Sequence, residues 1–318
     1  MSNPEIMFHN NESRWANVGL RALVSTAAHP FEYAKVLIQI GYEPIPPRAA
    51  TNIFGKPTLK LPNIFEYVKH IRSVDGFGGL YVGLAPKLCG NVLSSIVAQR
   101  CTDYLLLPEN QDLEFEEEET EETRKKKCVA AMKCDVMSRT AAILISQPFH
   151  VITVRMMAQF VGKETKYVGV FGSIKEIYQQ NGVLGFFSGL VPRVLGDILA
   201  IILAGGLTYT VNRYLVEDKE FKVFTAASMN FIATAVMYPF QVVSHCMAVT
   251  NSGLLIGSPT YMPHYNSWID CWMDLAKTNQ LKRGSSLLMR YYSGPHVVVA
   301  GKMLPVTVDQ TLYPSFRS

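Results

Sequence analysis

HPFEYAK at 29–35, QPFHVIT at 147–153 and YPFQVVS at 238–244 put a Pro-Phe pair three times into one chain, each time deep inside an apolar stretch. A proline inside a helix removes a hydrogen bond and bends the helix, so Pro30, Pro148 and Pro239 mark three kinked helices. The segments that follow also repeat. DGFGGLYVGLAPK (75–87) aligns with NGVLGFFSGLVPR (181–193), with glycines, an aromatic, Gly-Leu-x-Pro and a cation in step over thirteen positions. A third copy is expected after Trp272, but TNQLKRGSSLLMRYY retains little of the pattern. Internal repetition of this kind fixes the architecture before any single residue does.

Five stretches are long enough to cross a bilayer, near 16–40, 85–107, 135–160, 190–214 and 222–250. None is apolar all round. Stepping 100° per residue puts Arg21, Ser25, Ala28, Glu32, Lys35 and Gln39 on one face of the first. Lys87, Asn91, Ser94 and Ala98 share a face of the second, and Asp135, Arg139, Ser146, His150 and Thr153 one of the third. The fourth gives Arg193, Asp197, Ala200, Ala204 and Thr208, and the fifth Ala227, Asn230, Thr234, Gln241 and His245. Five polar stripes backed by Leu, Ile, Val and Phe are best satisfied by turning the stripes to a common interior and the backs to lipid. Between the spans, 61–75, 170–181 and 264–279 repeat a shorter apolar period and are expected to be amphipathic helices at the interface.

The stretch 285–304 is different. Arg290, Gly294-Pro295, His296 and Lys302 cut it into short apolar runs. A charge at mid-membrane costs about 2.5–3.5 kcal/mol on insertion scales, so an interfacial or disordered tail is expected instead of a sixth span. Five stripes without a sixth wall leave a groove open to the side. Its expected polar lining is Glu32, Lys35, Arg139, His150, Arg193, Asp197, Gln241 and His245, with Arg193 and Asp197 able to pair along their helix.

The helix kinks, the acidic and basic residues after the first proline and the Gly-rich helix entries resemble the mitochondrial carrier superfamily. KVLIQIGYEPIPP (35–47), NIFGK (52–56), QPFHVITVRMMAQFVGKETKY (147–167), GFFSGLVPRVLGDIL (185–199) and SWIDCW (267–272) narrow this to the mitochondrial carrier homolog family, over most of residues 20–290. The resemblance implies an all-α membrane protein: a degenerate three-repeat carrier fold with about five transmembrane helices and a missing or broken sixth. The expected divisions are a tail (1–15), repeat 1 (16–107), an acidic disordered insert (108–127), repeat 2 (128–216) and a degenerate repeat 3 with the C-terminal tail (217–318). It also implies an outer mitochondrial membrane location and insertion of α-helical clients there, tail-anchored proteins included. Lipid scrambling along the same groove, docking of apoptosis regulators and residual solute transport are the alternatives.

Carriers close one side with a ring of ion pairs from the residues that follow each kink proline. Here only the first copy has both an acid and a base, Glu32 and Lys35; the matching residues are His150 and Thr153, then Gln241 and Ser244. One such pair does not make a ring, which argues against alternating solute transport.

Composition agrees with a membrane chain. The 318 residues are 48% hydrophobic, with mean hydropathy +0.12. Residues 109–127 hold nine acids and four bases, a local −5 within a chain of net +4, so the remainder is +9. That basic remainder fits anionic lipid headgroups or ordinary solubility equally. The acidic run could recruit basic partners, though a solvated loop is the commoner meaning. The N-terminus has neither a signal core nor an Arg-rich transit pattern, so targeting is expected inside the chain. The six cysteines lack CxxC and zinc spacing. No nucleophile–base set, P-loop, GxGxxG or HExxH appears. A non-enzymatic protein is expected, with membrane lipids and helical clients as partners, and no cofactor, metal or nucleic acid.

Overall fold

The computed structural model describes residues 4–51, 55–106, 121–214, 219–259, 261–292, 296–299 and 302–305. The chain runs α1 (Pro4–Gln39), β1 (Arg48–Thr51), β2 (Pro57–Leu61), α2 (Ile64–Gly79), α3 (Leu84–Leu106) and α4 (Glu121–Ala158). It continues with α5 (Gly169–Asn181), α6 (Leu190–Tyr214), α7 (Lys219–Val236), α8 (Tyr238–Val249) and α9 (Trp268–Lys277), then β3 (Arg290–Tyr291), β4 (His296–Val299) and β5 (Lys302–Pro305).

Pro30 and Pro148 lie inside the continuous helices α1 and α4. Pro239 does more. It sits in the first turn of α8, where its missing N–H costs nothing, and the chain bends by 50° between α7 and α8 at Met237. The expected fifth span is therefore two helices. Two of the short helices start on side-chain caps: Asn63 Oδ1 accepts from the Glu66 amide at 2.9 Å at the entry to α2, and Ser267 with Asp270 forms a capping box on α9.

Length and apolar character alone qualify one helical stretch, Val183–Tyr214, to cross a membrane, or three if each bent helix pair counts as one span. Helices α1 and α4 fall short because they carry the charged stripes. Outward faces are apolar. Val191, Leu195, Leu199 and Ile202 of α6, and Phe221, Phe224, Phe231 and Val236 of α7, are all exposed. A surface of that extent is one that a membrane or a partner covers.

The packed core lies at one end. The C-terminal halves of α1, α4 and α8 meet there, capped by α2, α5 and α9, and bury Tyr33, Leu37, Tyr67, Ile152, Met157 and Val243 among others. Burying each such side chain is worth about 1.5–3 kcal/mol. At the other end α3 packs along α4, α4 along α6 and α6 along α7. Among the described residues α1 and α7 share no extensive packing.

Four expectations are corrected. The chain is not purely helical. β1, β2 and β3 form an antiparallel sheet, with Lys60 opposite Tyr291 and Leu61 opposite Arg290, and β4 pairs with β5. The stretch 285–304 is thus neither a sixth helix nor wholly disordered: three consecutive β-branched residues, Val297–Val299, after Gly294-Pro295 favour extended chain. Helix α4 begins at Glu121, inside the expected insert, since Glu, Arg and Lys are good helix formers; the rest of that insert, 108–120, lies outside the described residues. Similarly, α1 starts at Pro4, within the expected N-terminal tail, using proline's fitness for a first helical turn.

The returning tail is held by Arg290, which is buried, donates to the Pro62 carbonyl at 2.9 Å and pairs with Glu43. Burial pushes the Glu43 carboxyl up, against the opposing pull of Arg290. Arg290→Ala should therefore lower stability by about 3–5 kcal/mol, because a buried carboxylate is left without its cation. Thermal unfolding in detergent checks this, and the double change Arg290→Met with Glu43→Leu should recover much of the loss.

Candidate functional site

The residue before each kink proline is the first element of the site. His29 Nε2 meets the Val82 carbonyl at 3.0 Å, Gln147 Nε2 donates to the Ser188 carbonyl at 2.9 Å, and the Tyr238 hydroxyl donates to the Arg283 carbonyl at 3.0 Å. Val82, Ser188 and Arg283 each precede a glycine with positive φ: Gly83 at 81°, Gly189 at 72° and Gly284 at 77°. A left-handed turn of that kind selects glycine. Each glycine also touches the long helix of the next repeat. A side chain on Gly83 would meet the Thr153 carbonyl, one on Gly189 the Ser244 carbonyl, and one on Gly284 Ile38 and Gln39. The linkage therefore runs from repeat 1 to 2, from 2 to 3 and from 3 back to 1. Arg283 reinforces the last step by donating to the Gln39 carbonyl and, at 2.9 Å, to Cys246 Sγ. The third copy keeps its turn as far as Gly284, and among the described residues no helix follows it.

This ring floors a polar space made of two adjoining cavities of about 360 Å³ each. Glu32, Lys35, Arg139, His150, Arg193, Gln241 and His245 line the first. Arg139, His150, Arg193, Gln241 and His245 recur around the second, joined by Asp197. All eight expected lining residues thus surround one space. Lys35, Lys87, Arg139 and Arg193 outnumber Glu32 and Asp197, so the space is basic.

The partners differ from those expected. Arg193 does not pair with Asp197 one turn away. Its Nη1 donates to Gln147 Oε1 at 2.8 Å, while Asp197 accepts from Arg139 Nε at 2.9 Å across the helices. Two residues on one helix turn point alongside each other, and an arginine on the facing helix approaches Asp197 head-on. Glu32 pairs with Lys87 of α3, and Lys35 Nζ lies 5.2 Å from the centre of the Tyr238 ring. At the carrier gate positions Thr153 Oγ1 donates to the Phe149 carbonyl at 2.7 Å and Ser244 Oγ to the Gly189 carbonyl at 2.9 Å. The His150 and His245 rings stack at 5.2 Å, leaving His150 Nε2 and His245 Nδ1 without a hydrogen-bond partner among the described residues.

Lys87, Gln147 and Tyr238 are functional neighbours that the sequence reading left out of the lining. The available signal was the residue preceding each kink proline, always a side chain that hydrogen-bonds.

Bent helices around a basic central space, joined by three equivalent turns, define a carrier-type helical bundle. The Mitochondrial carrier protein family matches residues 18–106 and 124–219. Mitochondrial carrier homolog 2 of Homo sapiens is 44% identical over 280 residues, covering 83% of this chain and 89% of that protein. Its Mus musculus counterpart is 43% identical over 275 residues, with the same coverage of both chains. Mitochondrial carrier homolog 1 of Mus musculus is 38% identical over 298 residues, 87% of this chain and 76% of that protein. The chain belongs to the mitochondrial carrier family, in its divergent carrier homolog branch.

Gln147→Leu should cost about 1–3 kcal/mol, since it strips a partner from both the Ser188 carbonyl and Arg193. Gln147→His, which copies the residue used in the first repeat, should restore part of the loss in the same unfolding measurement.

Proposed function

We propose that this protein is an insertase of the outer mitochondrial membrane for α-helical clients, including tail-anchored ones. It crosses the membrane about five times and offers its basic space through a lateral opening between α1 and α7. The observation that carries this reading is the condition of α7. Its apolar residues Phe224, Phe231 and Val236 are exposed, and so are Ala227, Asn230 and Thr234 on its polar stripe. A helix in a sealed barrel would cover one of those two faces.

The physical consequence is direct. A polar segment moving through hydrocarbon loses its hydrogen bonds to water, at several kcal/mol per group. Arg139, Lys35 and the unpartnered histidine nitrogens supply alternatives along the path, while an adjoining apolar helix leaves sideways into lipid. The hydrogen-bonded floor, with Thr153 and Ser244 at two gate positions, supports a funnel closed at one end over an alternating transporter.

Lipid scrambling is the second reading. The same opening would admit a headgroup, and four cations around it suit a phosphate. The acidic run that would recruit a docking partner lies largely outside the described residues, so nothing favours that role.

Reconstitution separates the readings. Purified protein in liposomes should raise insertion of a tail-anchored substrate above the protein-free rate, and Asp197→Lys or Lys35→Glu should change that rate by roughly tenfold without loss of folded protein. Insertion at the protein-free rate, with lipid flipping or solute entry in its place, overturns the proposal. If both charge reversals leave the rate unchanged, neither residue belongs to the path.

A further inference from the structure

The kink phenylalanines repeat as faithfully as the prolines, and two of them carry the same joint. A side chain added at Gly90 of α3 would lie 3.0 Å from Phe149 Cβ, and one at Gly196 of α6 would lie 2.6 Å from Phe240 Cβ. Gly90 and Gly196 are equivalent positions, each seven residues beyond its left-handed turn glycine, Gly83 and Gly189. In each joint a second helix thus lays bare backbone against the phenylalanine that follows the kink proline. Any larger residue at the glycine would push the helices apart.

Phe31 is the third member of the series. Among the described residues nothing equivalent covers it: Phe31 is 39% exposed and its ring touches Phe65 edge-on at 5.6 Å. The chain that would bring the third helix turns away after Gly284 into β3. Phe31 therefore faces the gap beside α7, and its neighbour in the chain, Glu32, lines the basic space.

Taking the insertase reading as its premise, we infer that Phe31 is the seat for the incoming client helix, and that the seat selects an apolar helix with a glycine or alanine at the turn that meets it. The occupant completes the third joint as α3 and α6 complete the other two. Its small residue lets the backbones approach as closely as in the filled joints, which is how helices gain packing energy in lipid. The side of the helix turned to the interior meets more cations than anions, so neutral or acidic polar groups suit it there. Leucine at the small position overpacks the joint in the way that extra methylenes strain a filled core.

The test uses the full chain in liposomes and a client with one transmembrane helix bearing a single glycine. Phe31→p-benzoylphenylalanine should crosslink to the glycine side of that helix, whether the client is inserting or already embedded. Client Gly→Leu should lower both crosslinking and insertion roughly fivefold or more. The same change on the opposite side of the helix should do little, and Phe31→Ala should restore the leucine client. Crosslinks confined to lipid or to a second copy of this chain overturn the seat, as does equal sensitivity on both sides of the client helix. Insertion that proceeds without regard to the glycine leaves the insertase standing and removes the seat. Glycine-dependent crosslinking of an embedded helix without any insertion does the reverse.

Discussion

Three hydrogen bonds hold this molecule in its working shape: a side chain just before each kink proline, reaching the carbonyl just before a left-handed glycine. His29 to Val82, Gln147 to Ser188 and Tyr238 to Arg283 are chemically different and geometrically equivalent. Pro30 and Pro148 each remove an amide from a continuous helix, and Pro239 opens α8 beside the 50° bend. Each turn brings a glycine against the next long helix, where a Cβ would collide. Kink and turn fix one another, and three such joints close a ring. Val154 and Met157 belong to the apolar core and also line the polar space, so the two meet at that ring.

The ring does not depend on a helix after each turn. In the third repeat the turn survives at Arg283-Gly284, with Arg283 bound to α1, and the structure is complete at its packed end. Among the described residues no helix follows that turn. Beyond it the chain returns as strands and is pinned by Arg290 to Glu43 and Pro62. A ring closed at the packed end, beside the exposed polar stripe of α7, is the arrangement on which the proposed insertase role rests.

Much of this was legible in the sequence because repeats are self-checking. The long helices and the bend beside Pro239 follow from period and proline, and the eight expected residues line two adjoining cavities. What was not legible concerns neighbours across helices. Asp197 chose Arg139 over Arg193 because helix facing, which a one-dimensional period does not contain, sets that distance. Pro239 opens a new helix after a 50° bend, where Pro30 and Pro148 lie inside continuous ones. Strand β3 pairs with residues more than two hundred positions away, while β4 and β5 pair with each other, and short strands do not announce their partners.

The central claim is that the wall beside Phe31 is open to lipid. A fluorophore attached through Phe31→Cys, in bilayers containing brominated lipid and no client, tests it most directly. Quenching there should match that of a label attached through Phe231→Cys on the outer face of α7, and should greatly exceed that of labels attached through Phe149→Cys and Phe240→Cys. If the Phe31 label is shielded as well as those two, a sixth wall is present and the account fails.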